Sequence, residues 1–306
     1  MNGASGGYSL KPVGFAELPG WQNDDPTSLW PAMADCLAHL RNAKPYRIGS
    51  LGLSAGDLIP LLESAAAIAR PDAAGARSFF ESHCRALQVV PLQGPGLVTA
   101  FYEPEVEVSA VSDADYRFPF YSRPHDLIDV TEANRPAAMD EAYAFALDDG
   151  NGLKPYPDRK AIDCGYLENR GLEIAWAKSR VDVFFAHVQG AARLRYPDGH
   201  MGRITYAAKA GHPFSGIGRH LIDLGEIPER DISMQSIRAW LAGHPEHVDE
   251  ILWHNRSYIF FREVDVPDLA RGPIAAAKVP LVAGRSLAVD RSIHTFGFPF
   301  FVHAPG

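Results

Sequence analysis

The feature that most constrains this chain is a change of texture at Gly94-Pro95-Gly96. The first ninety residues read as helical. Ser54 stands three positions before Asp57, a capping-box spacing that predicts a helix running to Ala69. From Pro71 to Leu87, Phe79, Phe80, Cys84 and Leu87 recur at helical intervals behind an initial proline. After the Gly-Pro-Gly turn the sequence LVTAFYEPEVEVSA alternates and is rich in Val, Phe and Tyr, which predicts strands interrupted at Pro104.

One more helix is expected over 136–147. Beyond it LEIAWA (172–177), VDVFFAHVQ (181–189), ARLRY (192–196) and GRITYA (202–207) read as short strands, with Pro197-Asp198-Gly199 a turn between the last two. Helices are expected near Ser233–Leu241 and Pro245–His254. SYIFFREV, KVPLV, RSLAV and FPFFV then form a last β group. Strands this short and this polar suit a small barrel or sandwich, not a buried parallel sheet.

With 46% hydrophobic and 22% charged residues, 306 residues are enough for one large domain or two moderate ones. Twenty-nine basic against 37 acidic side chains leave a charge of −8, with no basic stripe, which argues against a general nucleic-acid binder. No apolar run approaches the length of a transmembrane segment. Cys36, Cys84 and Cys164 are too far apart for a zinc motif and form no disulfide framework; buried thiols are expected at the first two. Neither phosphate-binding glycine motif appears, so nucleotide binding is not expected. The apolar ending FGFPFFVH, followed three residues later by Gly306, leads us to expect further sequence beyond it.

Local chemistry is sparse. Gln189-Gly190 is expected at a strand end, where an amide would suit sugar hydroxyls or acetamido groups, or would simply satisfy a turn. Lys209-Ala210-Gly211-His212-Pro213-Phe214-Ser215-Gly216-Ile217-Gly218 reads as a glycine-rich loop leading into a helix, able to cradle a polar ligand or merely to connect elements. Thr99, Tyr102 and Glu103 fall on one strand end, with Tyr102 either a sugar platform or core. Glu103 and Asp290 are acids by type only, and His212 and His294 are bases or ligands by type only.

Taken in order, VTAFYEPEVEVSA, PFYSRP, YPDRKAID, LEIAWAKSRVDVFFAHVQG, RITYAAKAGHPFSGIGRHLIDLGEI, SMQSIRAWLAGHPE, NRSYIFF and SLAVDRSI resemble the membrane-bound lytic murein transglycosylase A family over about residues 94–302. The resemblance implies a mostly β chain with helices, in two domains. Residues 1–104 and 257–306 would form a helical N-terminal part plus a discontinuous, C-terminally incomplete double-psi β-barrel. Residues 105–256 would form an inserted smaller β-barrel, with a glycan groove between the two.

The implied activity is non-hydrolytic cleavage of the β-1,4 bond between N-acetylmuramic acid and N-acetylglucosamine in peptidoglycan strands, leaving 1,6-anhydromuramyl ends, with no cofactor or metal. By matching position, Thr99, Tyr102, Gln189, Gly190, Lys209, Gly211, Ser215 and Gly218 would contact the glycan. The family's catalytic acid lies beyond the motif that here reads Asp290-Arg291-Ser292-Ile293, so no catalytic residue is assigned within this chain and the acid is expected after Gly306. Ala191-Ala192, Ala210 and Phe214 depart from the family's Ser-Gly, Asn and Tyr, which bears on subsite preference. The resemblance implies a periplasmic protein, associated with the outer membrane through an N-terminal lipid, although no signal segment is seen in the sequence. The alternative readings are a non-catalytic glycan-binding module and an envelope assembly protein.

Overall fold

The computed structural model describes residues 7–43, 45–92, 94, 102–265, 268 and 270–304. The chain divides into two compact units, Met1–Phe101 with Asp268–Gly306, and Tyr102–Pro267.

The first unit begins with β1 (Tyr8–Pro12), α1 (Trp30–Asn42), α2 (Ala55–Ala66), α3 (Ala73–His83) and β2 (Leu87–Pro91). The capping box at α2 forms as its spacing predicts: the Ser54 N–H and hydroxyl donate to Asp57 at 2.8 and 2.7 Å. The helix stops at Ala66, short of the expected end. At α3 the Asp72 carboxylate accepts the Gly75 N–H at 2.7 Å, so the helix starts after Asp72 and ends before Cys84, while Leu87 belongs to a strand. Cys36 is buried in α1, and Cys84 is half-buried. The antiparallel β1–β2 pair lies in a stretch that reads as helical. Most of its side chains are exposed, so no inward alternation marks it in the sequence. Leu58, Leu62 and Ala65 of α2 pack on Met33, Cys36, Leu37 and Leu40 of α1 and on Phe79 and Phe80 of α3. Each buried leucine or phenylalanine there contributes about 1.5–3 kcal/mol.

The second unit holds β3 (Glu105–Ser109), β4 (Phe118–Tyr121), β5 (Leu127–Asp129), β6 (Phe145–Asp148) and β7 (Leu153–Lys154). The short α4 (Arg159–Ala161) runs into a π-helical turn at Ile162–Tyr166, followed by β8 (Glu173–Ala177), α5 (Arg180–Gln189), β9 (Ala191–Arg195) and β10 (Met201–Lys209). It closes with α6 (Ile217–Asp223), α7 (Met234–Gly243), α8 (Val248–Trp253) and β11 (Ile259–Glu263). Six strands form one sheet in the order β11-β10-β9-β3-β8-β4, antiparallel throughout except for β3 beside β9. Its outer strands are linked by one isolated parallel bridge between Ser122 and Phe261. β5, β6 and β7 make a separate small sheet.

Two expectations fail in this unit. Residues 181–189 are helical, not a strand. Ser179 caps α5 by accepting the Asp182 N–H at 3.2 Å, and Gly190 ends it in a left-handed conformation, φ 73°. Five consecutive residues, Val183 to His187, are buried between the sheet and α6–α8, which erases the polar face that would reveal a helix. Residues 136–147 are turns leading into β6, not a helix. Arg135 donates to the Asp140 carbonyl, and the Asp140 carboxylate accepts the Ala142 N–H, so the local bonds favour turns.

The chain then returns to the first unit with β12 (Arg271–Ile274) and β13 (Pro280–Val282). RSLAV and FPFFV form no strand. Phe298 and Phe301 pack onto the helical core instead, Phe301 edge-on to Trp21 at 5.7 Å. The Asp290–Ile293 turn seats on Gly49–Leu53: the Ser50 N–H donates to the Ser292 carbonyl at 2.8 Å, and a Cβ on Gly49 would stand 2.3 Å from the Ile293 carbonyl oxygen. The fold is therefore mixed sheet and helix; among the described residues no ring of strands closes.

Candidate functional site

Of the residues singled out from the sequence, Tyr102, Glu103 and Gly190 come to one end of the six-stranded sheet, Gly211, Ser215 and Gly218 sit in the loop and helix after β10, Asp290 and His294 belong to the first unit, and Thr99 lies outside the described residues. The parallel register sets Glu105 beside Arg193, and the Arg193 N–H donates to the Pro104 carbonyl at 2.8 Å. Following that register back brings Tyr102 toward the level of Gly190. On the other side of β9 the Tyr206 N–H donates to the Gly190 carbonyl at 2.8 Å. Tyr102, Gly190 and Tyr206 therefore share one end of three adjacent strands, and both tyrosines are over one-third exposed, at 37% and 42%. The Tyr102 hydroxyl donates to Met234 Sδ. Gln189 is the last residue of α5, not a strand terminus; the left-handed Gly190 turns the chain directly into β9 beside it. Lys209 ends β10 and is half-buried. Neither Gln189 nor Lys209 has a side-chain hydrogen bond or ion pair among the described residues.

The loop after Lys209 is held rigidly. Gly211 has φ +88°, and a Cβ there would come within 2.5 Å of the Phe145 carbonyl oxygen, so only glycine fits. His212 is buried and satisfied: its Nε2–H donates to the Tyr156 carbonyl at 2.6 Å, and its Nδ1 accepts from the Tyr143 hydroxyl at 3.1 Å. Burial pushes its pKa below the ordinary histidine value. The Ser215 N–H donates to Oδ1 of the buried Asn255 at 3.2 Å. Gly218 faces Ile237, which a Cβ would approach to 3.1 Å, so it serves the packing of α6 on α7. Phe214 projects into solvent.

The acids are accounted for. Glu103 is buried between two arginines, with Arg193 Nε 2.8 Å and Arg203 Nη2 2.9 Å from its Oε2. Arg203 Nε stands 2.6 Å from Oε1, an ion pair too far from linear to be a hydrogen bond. Asp290 caps its own turn, accepting from the Ser292 N–H and hydroxyl at 2.8 and 2.6 Å, which holds its carboxyl below the usual range. His294 stacks edge-on to Phe300, and burial lowers its pKa. Gly52-Leu53-Ser54-Ala55-Gly56 has the spacing of a nucleophile elbow, but its serine is the capping residue of α2. Among the described residues no cluster of three His, Cys, Asp or Glu is placed to hold a metal, and no helix is long and apolar enough to cross a membrane.

The family model described as "MltA specific insert domain" matches residues 97–262. The chain belongs to the MltA family. The membrane-bound lytic murein transglycosylase A of Escherichia coli strain K12 is 31% identical over 209 residues, covering 68% of this chain and 49% of that protein. The chain thus spans about half the length of the curated MltA relatives it matches. A crystal structure of a membrane-bound lytic murein transglycosylase from Agrobacterium tumefaciens superposes with a TM-score of 0.88 at 59% identity, over 94% of this chain and 79% of that one. E. coli MltA with bound chitohexaose gives a TM-score of 0.59 at 25% identity, over 95% and 76% of the two chains.

A surface in the second unit that sequence reasoning missed is a cavity behind β4 and β8, lined by Tyr121, Asp163, Glu168, Glu173 and Tyr258. Its residues are scattered over 140 positions of chain, and no local spacing announces them.

Proposed function

We propose that this chain is part of a peptidoglycan lytic transglycosylase, and that the end of the sheet carrying Tyr102, Gln189, Gly190 and Lys209 grips the glycan strand. One observation carries this reading: in an MltA-family chain, two partly exposed tyrosines share a sheet end, and the Gln189 amide and Lys209 ammonium on the elements that meet there have no partner among the described residues. Aromatic faces and free hydrogen-bonding groups are what a polar sugar polymer requires. Gly211, Ser215 and Gly218 belong to the loop that frames this surface, and Thr99 is assigned to it by position in the family. The chitohexaose complex of the E. coli relative supports a β-1,4-linked amino-sugar ligand.

The reaction needs a single carboxyl group. It protonates the glycosidic oxygen; its carboxylate then takes the proton from the muramyl 6-hydroxyl, which closes onto C1 and leaves a 1,6-anhydro end. Because the nucleophile is part of the substrate, no second carboxylate is needed to activate water. We place that acid outside these 306 residues. The acids considered from the sequence support this, since Glu103 is neutralised by two arginines and Asp290 is committed to a turn. We read the second unit as the inserted smaller barrel, the Ser122–Phe261 bridge linking its outer strands, and the first unit as part of a discontinuous double-psi barrel. The family's naming as membrane-bound supports a periplasmic site of action at the outer membrane.

The test is digestion of purified murein by the intact gene product, read by mass spectrometry. Release of 1,6-anhydromuropeptides is expected; reducing-end products alone would make it a hydrolase. The locked state of Glu103 also favours a second reading, a glycan-binding module without catalysis. That reading predicts chitohexaose binding with no product from the intact protein.

A further inference from the structure

The cavity behind β4 and β8 encloses about 780 Å³ and lies wholly within the second unit. Tyr121 and Tyr258 line it with rings 6.5 Å apart, 4% and 2% exposed. Neither hydroxyl has a hydrogen-bond partner among the described residues. Neither hydroxyl oxygen is sealed from solvent, so both are open to a ligand that enters the cavity they line.

The charge around them is negative and only partly answered. Asp163 comes from the π-helical turn and accepts the Trp253 indole N–H at 3.0 Å, with Arg159 and Arg180 nearby. Glu168 and Glu173 have no ion-pair partner among the described residues. Burial, then the charges of Glu173, Glu168 and Asp163, push the Tyr121 hydroxyl up, so all three carboxylates bear on that phenol. On the positive side Arg180 is bonded to Asp249 at 2.6 Å, and Arg117 is exposed, resting on Phe118. Gly165, at φ +101°, lets Glu168 fold back over the turn; a Cβ would stand 3.0 Å from its carboxyl carbon. Among the described residues no three of these groups approach closely enough for a metal ion. Phe118 and Trp176 also line the cavity; the Arg117 and Arg180 guanidinium groups stand 5.3 and 5.1 Å from the Phe118 ring centroid, and the remaining aromatic surface would cover the apolar arm of a larger cation.

We propose that this cavity binds a primary alkylammonium group, with Glu168 and Glu173 supplying charge, the Tyr121 and Tyr258 hydroxyls accepting its hydrogens, and Phe118 and Trp176 covering the attached chain. The ligand class is a lysine-like diamino acid side chain, either free or within a peptide carried on a glycan strand. Only the second source rests on the peptidoglycan reading.

The experiment is calorimetric titration of the 306-residue chain with Nα-acetyl-L-lysine methylamide and with its norleucine analogue, which lacks only the ammonium. Saturable binding of the lysine compound is expected, at least about tenfold tighter than the analogue, and weakened about tenfold in Glu168→Gln/Glu173→Gln at unchanged melting temperature. No saturation by roughly 20 mM, equal binding of the analogue, or an unaffected double variant overturns the proposal. If the double variant does not fold, Glu168→Gln alone, at an exposed turn, is read in the same way with an expected loss of about threefold. The source is separated by comparing a glycan strand bearing diamino-acid peptides with peptide-free chitohexaose. Tighter binding of the former, lost in the double variant, assigns the peptide-bearing strand; equal binding of the two, with the lysine compound still bound, assigns a free amine. Because chitohexaose binding does not involve this cavity, failure here leaves the glycan reading standing, and failure of chitohexaose leaves the ammonium result intact.

Discussion

The second unit treats its carboxylates in two opposite ways. At one end of the sheet Glu103 is sealed between Arg193 and Arg203, its charge matched and its oxygens out of water. Around the cavity, Glu168 and Glu173 have no ion pair, and two phenols no hydrogen bond, among the described residues. A buried charge matched by its neighbours serves the frame, whereas charge and polar groups left unmatched in a cavity are available to a ligand. The same division separates the Arg159 cluster from the glycan surface. Arg159 donates to the carbonyls of Asn255 and Ser257 at 3.0 and 2.7 Å and to His187 Nδ1 at 3.1 Å, so its guanidinium is satisfied by the frame, while the buried His187 Nε2 has no partner among the described residues.

The largest effect should come from opening the sealed pair. Arg203→Met leaves Glu103 with one arginine in a buried setting and is expected to cost about 3–5 kcal/mol in urea unfolding. A cost below 1 kcal/mol would show that Glu103 is better solvated than its burial indicates. Next is Gly211→Ala, which forces a left-handed residue against the Phe145 carbonyl and should cost about 1–3 kcal/mol by thermal melting.

The buried Arg159–His187 pair gives a pH signature. Burial, and then the Arg159 charge, hold His187 well below the ordinary value of 6.5, so the folded protein keeps it neutral while the unfolded chain takes up a proton. Its contribution to stability is therefore present above 6.5 and declines as the pH falls below it, by at most about 1.4 kcal/mol per pH unit from this site. A His187 imidazole resonance that titrates near neutrality while the protein stays folded would refute this.

The open carboxylate should behave in the opposite way to Glu103. Glu173→Gln is expected to change stability by less than about 0.5 kcal/mol while weakening lysine-analogue binding. The smallest effect is that of Gln189→Ala, a loss of about 1 kcal/mol in chitohexaose affinity with stability unchanged. A Gln189→Ala variant that binds chitohexaose like the wild type would move the glycan surface elsewhere.

Much of the frame was legible locally. Ser54 and Asp57 announced α2, Pro197-Asp198-Gly199 announced the β9–β10 turn, and Ser233 preceded α7, because caps and tight turns are written by residues a few positions apart. Residues 181–189 misled because α5 is buried along half its length, and a helix without a polar face shows no helical period. FPFFV misled because an apolar run reports burial, not the partner it is buried against. Tyr102, Gln189, Gly190 and Lys209 stood out locally and were assigned to a glycan by resemblance, whereas the shared level of Tyr102, Gly190 and Tyr206 follows from the pairing of β3, β9 and β10.

By itself, then, the sequence determined short-range decisions, such as the cap of α2 and the β9–β10 turn, and which family the chain belongs to. Only the tertiary structure decided which acids are neutralised and which remain open. Glu103 meets Arg193 and Arg203 across 90 and 100 residues of chain, and Tyr121 meets Tyr258 across an even longer separation. The effective charge and hydrogen-bonding freedom of a side chain depend on what surrounds it in space, and no spacing along the chain encodes that.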